Sequence, residues 1–193
     1  MNINWEKYIE KTKEYPPREL LKDALAHVAH KGTALDLGAG ALMDSKYLLE
    51  QGYDHVVALD ADPVSARYAE EVHSEHFSFI QSTFQDFEFL PDTFDLINAQ
   101  RSLPYVGREE FDSIFSSVKS ALKSEGILCA VIFGDRNSHS LPAMTPVKLS
   151  RPQVEELLSD LEVIMLDENE EDKLTTMGSP LHSHEFFIIA RKK

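Results

Sequence analysis

A doubly wound α/β fold around a mostly parallel sheet is the architecture this sequence predicts, and three observations predict it. Short apolar runs alternate with amphipathic helical patterns across residues 33–133. A glycine-bearing turn, Asp36-Leu37-Gly38-Ala39-Gly40, follows the first run directly, and an acid, Asp60, closes the second. Strands separated by helices pair in parallel, with helices covering both faces. Ligands of such sheets bind beyond the carboxyl ends of the strands.

Trp5, Tyr8 and Tyr15 mark an aromatic N-terminal segment. Pro16-Pro17 precedes a run with Leu21, Ala24, Leu25 and Val28 on one face, which predicts a first helix ending near Gly32. Strand 33–37, a helix over about 44–51, strand 56–60, a helix over about 64–73 and strand 77–81 follow as β-α-β-α-β. Strand 94–99, a helix over about 109–123 stopped by Gly126, and strand 127–133 continue the series. A polar, proline-bearing loop over 134–150 leads to a helix with Ser150 as N-cap and Pro152 in its first turn. Strands 161–166 and 185–190 end the chain, separated by an acidic, glycine-containing loop too plain for a crossover, so they read as an antiparallel pair. The sheet thus has seven strands and is mostly parallel, with an antiparallel C-terminal strand. Within the loop, the run Asp167-Glu168-Asn169-Glu170-Glu171-Asp172 reads as solvated, because like charges stay in water.

At 193 residues and 42% apolar content, one core suffices without disulfides or structural metal. The expectation is a single domain over 1–193, with an N-terminal lid or helix segment at 1–31 and a core at 32–193. A formal net charge of -14 repels phosphate backbones and anionic lipid, arguing against nucleic acid and membrane as partners. A small molecule is the expected partner. Cys129 lies in an apolar strand and reads as a buried hydrophobe. No signal peptide or membrane-length apolar stretch is evident, which points to the cytoplasm.

Gly38 and Gly40 let the backbone turn tightly and approach a ligand, while the next helix aims its first amides at the same place. Asp60, at the end of the following strand, is placed to accept both ribose hydroxyls, so the ligand contains adenosine. Asp36 decides between two such ligands. Its charge repels a pyrophosphate and favours the cationic ammonium and sulfonium of S-adenosylmethionine (SAM).

On these residues the sequence resembles the class I SAM-dependent methyltransferases, whose first motif runs acidic-x-Gly-x-Gly-x-Gly; Asp36, Gly38 and Gly40 match it and Leu42 stands at the third glycine. Asp60, Phe94-Asp95-Leu96-Ile97 and Leu122-Lys123-Ser124-Glu125-Gly126 extend the likeness over nearly the whole chain. The resemblance implies a Rossmann-like methyltransferase fold and SAM as cofactor. A finer similarity, to tellurite-resistance and thiopurine methyltransferases, rests on residues 11–25, Gly134-Asp135-Arg136-Asn137 and His182-Ser183-His184. By this resemblance Asp36 meets the methionine amine directly or through water, Gly38 and Gly40 line the methionine moiety, and Asp60 holds the ribose. Ala61 and the Thr83-Phe84 pair flank adenine, although the family often has an acid where Thr83 stands. Arg18, and less so Lys13, is a cation for the SAM carboxylate, as N-terminal basic residues are in similar enzymes. Leu42 implies a tilted turn or a side chain replacing a close backbone contact.

Methyl transfer is an in-line displacement, so no universal catalytic residue is required. Residues 98–105 lack the pattern that resembles methyltransferases acting on nucleobase amino groups. Gln100 and Arg101 fall where SAM and acceptor meet, and Arg101 reads as a cation for an anionic acceptor or as a surface salt bridge. Asp135 follows the fifth strand, where the acceptor pocket opens, and either faces it or pairs with Arg136. His182 and His184 share a strand face; His184 is the acceptor-side candidate, and two histidines alone do not complete a metal site. Trp5 and Tyr8 read as a lid or as core of an N-terminal helix. The function expected is methyl transfer from SAM to a small-molecule acceptor. The alternatives are a non-catalytic SAM-binding protein and an NAD(P)-dependent oxidoreductase; against the latter stand Asp36, Met43 in place of a glycine and the lack of a Tyr-x-x-x-Lys pair.

Overall fold

The computed structural model describes residues 5–141 and 144–193; residues 1–4 of the N-terminal segment and Pro142 and Ala143 of the 134–150 loop lie outside it. Two helices open the chain, α1 (Trp5–Thr12) and α2 (Glu19–Leu25). The core follows as β1 (Thr33–Leu37), α3 (Met43–Glu50), β2 (His55–Asp60), α4 (Pro63–Ala69), β3 (Phe77–Gln81) and β4 (Phe94–Gln100). A short 3-10 turn, Leu103–Tyr105, then leads to α5 (Arg108–Ala121), β5 (Leu122–Gly134), β6 (Lys148–Leu149), α6 (Arg151–Leu157), β7 (Leu161–Leu174) and β8 (Pro180–Lys192).

The main path of the sheet runs β3-β2-β1-β4-β5-β8-β7, and the two-residue β6 adds to the end of β5. Only β8 runs against its neighbours, so the expected doubly wound sheet with one antiparallel C-terminal strand is present. The strand order reverses between β1 and β4, and their shared register sets Asp36 beside Asn98.

Pleat alternation divides the side chains between two layers. Leu35, Leu37, Ile97, Leu128, Ala130 and Ile188 face α5 and α6, where Phe111, Phe115, Val118 and Val154 bury against them. Each full burial of that size contributes about 1.5–3 kcal/mol. On the opposite face Ala34, Leu96, Cys129, Val131 and Ile189 meet Leu20, Leu21 and Ala24 of α2 and Leu48 of α3. Cys129 is buried there as expected.

Three boundaries differ from expectation. Helix α2, expected to end near Gly32, stops at Leu25 because Ala26, His27 and Val28 donate to carbonyls three residues back, tightening the last turn before the chain enters β1. The helix expected over about 109–123 ends at Ala121, because Leu122 is already extended and pairs with Phe94, and Gly126 lies inside β5. The acidic run 167–172 is not a loop. It forms the second half of β7, an edge strand paired residue for residue with β8, and Glu168 and Glu170 in it are ion-paired with Arg136. Its backbone is satisfied by pairing even though its charges repel, and edge charges also block further strand addition. At α6, Ser150 stands at the N-cap as expected, with Gln153 Oε1 accepting the Ser150 backbone N–H at 2.9 Å. Among the described residues no helix is long and apolar enough to cross a membrane.

Candidate functional site

The chain leaves β1 through a turn pinned to β2, where the N–H groups of Gly38 and Ala39 both donate to the Leu59 carbonyl, at 2.8 and 3.0 Å. Gly38 has φ +83°, and a Cβ there would collide with Ser102 Cβ. Gly40 also has positive φ, +53°, but a Cβ there would meet nothing within 4 Å, so open space lies in front of it. Leu42 takes the left-handed conformation too, φ 64° and ψ 22°, and its side chain is fully buried. Leucine thus holds a left-handed backbone that favours glycine, at a local strain of about 1–2 kcal/mol, and its side chain points into the core.

Asp60 closes this turn. Its Oδ2 accepts the Gly40 N–H at 2.8 Å and its Oδ1 accepts the Asp62 N–H at 2.9 Å. Burial pushes the Asp60 carboxyl up, and these two backbone donors pull it back down. A carboxylate has about four lone-pair sites, so acceptor capacity remains toward the space beside Gly40. An open cleft of about 480 Å³ adjoins, lined by Ala61, Gln81, Ser82, Thr83 and Asp86. Thr83 donates its hydroxyl to Asp86 at 2.7 Å. Ala61 and Thr83 thus come together as expected, whereas Phe84 does not line the cleft. Its ring packs against the hydrophobic core, and its Cζ would lie 3.5 Å from a Cβ on Gly38.

Behind the turn lies a buried polar chain. Asp36, 3% exposed, accepts from Ser45 Oγ at 2.5 Å and from Asn98 Nδ2 at 2.9 Å. Asn98 Nδ2 also reaches Asp44 at 3.1 Å, and Asp44 holds Arg18 through its backbone N–H (3.0 Å) and guanidinium (2.6 Å). Burial, then the adjacent Asp44, pushes the Asp36 carboxyl up to about 6. The Asp36 side chain is accordingly an internal member of the site, and Arg18 is committed to Asp44 on at least one nitrogen. Sequence reasoning missed Asp44, Ser45 and Asn98. The first two resemble ordinary first-turn helix residues, while Asn98 and Gln100, polar and two apart in an apolar strand, were the readable signal.

On the acceptor side Arg101, at φ 57°, grips Glu185 with two bonds of 2.7 and 2.9 Å. Glu185 is buried, and Lys173 approaches it at 3.5 Å. Arg101 is therefore neither a free cation for an anionic acceptor nor part of a surface salt bridge. His184 is corrected as well. It is fully buried, its Nδ1 accepts the Arg136 N–H at 3.1 Å, and its Nε2 stands 2.9 Å from Glu168. A Cβ on Gly134 would strike its ring, so His184 locks β8 to the loop after β5 and presents nothing to an acceptor. Asp135 lies 3.6 Å from Arg136 and 3.5 Å from His184 in the same ionic group. His182 shares that face and bonds Glu170 and Asp172. Lys13 pairs with Glu10. Among the described residues no group of three His, Cys, Asp or Glu side chains is disposed to hold a metal.

Beyond the ends of β4 and β5 an aromatic cluster forms, with Tyr105 touching Trp5, Phe133 and His139 edge-on at centroid distances of 5.0, 5.6 and 5.9 Å. Tyr105 Oη and His139 Nε2 are 3.1 Å apart, and burial pushes His139 down, toward the neutral ring. Trp5 and Tyr8 also seat α1 against Val64 and Tyr68 of α4, so they pack the N-terminal helix onto the core.

Residues 34–126 match the family model described as a methyltransferase domain. The chain is similar in structure to TehB from Haemophilus influenzae, at 22% identity and a TM-score of 0.78, over 94% of this chain and 65% of that one. It thus spans less than two thirds of that protein. A 1,6-didemethyltoxoflavin-N1-methyltransferase from Burkholderia thailandensis, solved with 1,6-didemethyltoxoflavin and S-adenosylhomocysteine, is 18% identical at TM-score 0.71, over 100% of this chain and 92% of that one. A SAM-dependent methyltransferase from Methanosarcina mazei is 19% identical at TM-score 0.67, over 87% and 96% of the two chains. At such identities the structures show a common fold. Comparison with curated proteins gives no match.

Proposed function

We propose that this chain, whose residues 34–126 match a methyltransferase-domain model, is a SAM-dependent methyltransferase that methylates a small-molecule acceptor held between α1, α2 and the carboxyl ends of β4 and β5. The observation that carries this reading is the junction at Gly40. One backbone amide ties the glycine turn to Asp60 while open space and the Ala61–Asp86 cleft lie beside both. An extended adenosine-bearing ligand fits that arrangement, with the Asp60 lone pairs on its ribose, Ala61 and Thr83 flanking its base, and the backbone at Gly38 and Gly40 along its amino-acid part. Asp86, bonded by Thr83, supplies the acid that the family often carries at position 83. Asp36 acts on the cationic end of the ligand as a buried charge, with Gln100 and Arg18 linked to it through Asn98 and Asp44.

When bound, SAM supplies an electrophilic methyl on a sulfonium. The chain's share of the work is to position the acceptor and exclude water. The Trp5–Tyr105–Phe133 cluster provides the apolar wall for that, and His139, kept toward neutral beside Tyr105, is the group positioned to take a proton. The net charge of -14 supports a small acceptor over a nucleic acid.

Calorimetry with SAM, S-adenosylhomocysteine and NAD tests the reading. Both sulfur nucleosides should bind and NAD should not. Asp60→Ala should weaken binding at least tenfold, since charge-assisted bonds are lost. Binding of neither sulfur nucleoside would sink the assignment.

A further inference from the structure

A second open cleft, also of about 480 Å³, lies between α2 and the β7–β8 ribbon, with Gln100 and Arg101 in its wall. Its charges are unbalanced. Both guanidiniums in the wall arrive neutralised, Arg101 by Glu185 and Arg18 by Asp44. Glu19 is held by Lys22 at 2.7 Å. Asp23 and Asp167, in the same wall, have no ion-pair partner among the described residues. Leu20, Met165 and Phe187 supply apolar surface.

Gln100 gives an independent indication. It is 6% exposed, and its Nε2 donates to Asn98 Oδ1 at 2.8 Å. That polarity is imposed from within. Asn98 spends its amide N–H groups on the carboxylates of Asp36 and Asp44, which leaves Oδ1 as the atom facing Gln100. Gln100 must therefore turn its Nε2 inward, and its Oε1 is left without a partner in the cleft wall. A buried amide held this way keeps an Nε2 N–H on Asn98 and presents its acceptor Oε1 to the cleft.

We propose that this cleft is a side arm of the acceptor site, opening from the carboxyl end of β4, and that it selects an acceptor carrying an organic ammonium, whose N–H groups meet Gln100 Oε1 and the Asp23 and Asp167 carboxylates while the adjoining carbon atoms lie on Phe187 and Met165. The proposal rests on the methyltransferase reading above and adds the charge of the acceptor. It also reverses the expectation that Arg101 recruits an anion.

The test uses three probes of one shape, benzylamine, benzyl alcohol and benzoate, titrated into isotope-labelled protein saturated with S-adenosylhomocysteine. NMR follows the Gln100 side-chain amide and the Asn169 backbone amide. Benzylamine, charged at neutral pH, should shift both at concentrations at least ten times lower than benzoate, with the alcohol between. The double substitution Asp23→Asn, Asp167→Asn, at exposed positions, should shrink that preference to about threefold or less, the remainder coming from Gln100. Benzoate acting at equal or lower concentration than benzylamine overturns the proposal, and so does the absence of shifts from all three probes on protein that holds S-adenosylhomocysteine. Protein that takes up no S-adenosylhomocysteine overturns the methyltransferase reading instead, a result read before any probe is added.

Discussion

Leu42 stores a conflict between side chain and backbone. Its left-handed φ suits glycine, while its buried side chain fills core space. Truncation to alanine loses about 2–5 kcal/mol of packing and keeps the strain, whereas glycine loses the packing and relieves about 1 kcal/mol of strain. Chemical denaturation should therefore rank Leu42→Gly above Leu42→Ala, the reverse of the order in an ordinary helix. Asp36 makes a pH prediction of definite sign. Its carboxyl sits at about 6 in the fold against an ordinary value of 3.8, so on raising the pH the unfolded chain loses this proton first. Stability should fall across about pH 4 to 6 by about 3 kcal/mol, and Asp36→Asn should flatten that slope. Asp60, also pushed up by burial, contributes the same sign, so a residual slope remains. Arg101 and Glu185 act as a unit. Arg101→Met alone leaves a buried carboxylate with only Lys173 nearby and should cost about 2 kcal/mol, below the ~3–5 kcal/mol of fully enclosed pairs. The double change Arg101→Met, Glu185→Met should recover most of that in the same denaturation measurement.

Among the elements, the β7–β8 ribbon departs furthest from expectation. Its acidic strand is tolerated because Arg136, reaching out from the loop after β5, meets Glu168 and Glu170 at 3.0 and 2.7 Å, and because Arg151 adds a contact from α6 at 3.2 Å. Charges that repel along one strand thus serve to tie the ribbon to two other elements. Arg136→Ala should speed amide hydrogen exchange in the acidic half of β7 while amides of β1 and β4 keep their protection, since ribbons of this kind open locally before the core does. Uniform loss of protection across the sheet would show that the ribbon is instead part of the global unfolding unit. The run 167–172 offered only charge to a reader of the sequence, and its partner strand lies beyond an intervening turn. Strands β1 to β4 were legible because their apolar periodicity is local.

For the whole molecule, ligand linkage gives the broadest check. At a hundredfold excess over its dissociation constant, S-adenosylhomocysteine should stabilise the protein by about 2.7 kcal/mol, a rise of roughly 5–10 °C in Tm for a chain of this size. NAD at equal concentration should leave Tm unchanged. The sequence by itself determined the alternation of strands and helices in the core, the glycine turn, the acid Asp60 that it meets, and the nearness of Ala61 and Thr83. Those features follow from local periodicity, glycine conformational freedom and the rule that ligands sit at strand ends, all of which are written in neighbouring residues. Only the tertiary structure decided what each charge does. Arg101 finds Glu185, Arg18 finds Asp44, and Asp36 is sealed behind the turn with Asn98. Such pairings join residues up to 84 positions apart. They are set by which strands become neighbours, and a linear sequence does not record that distance.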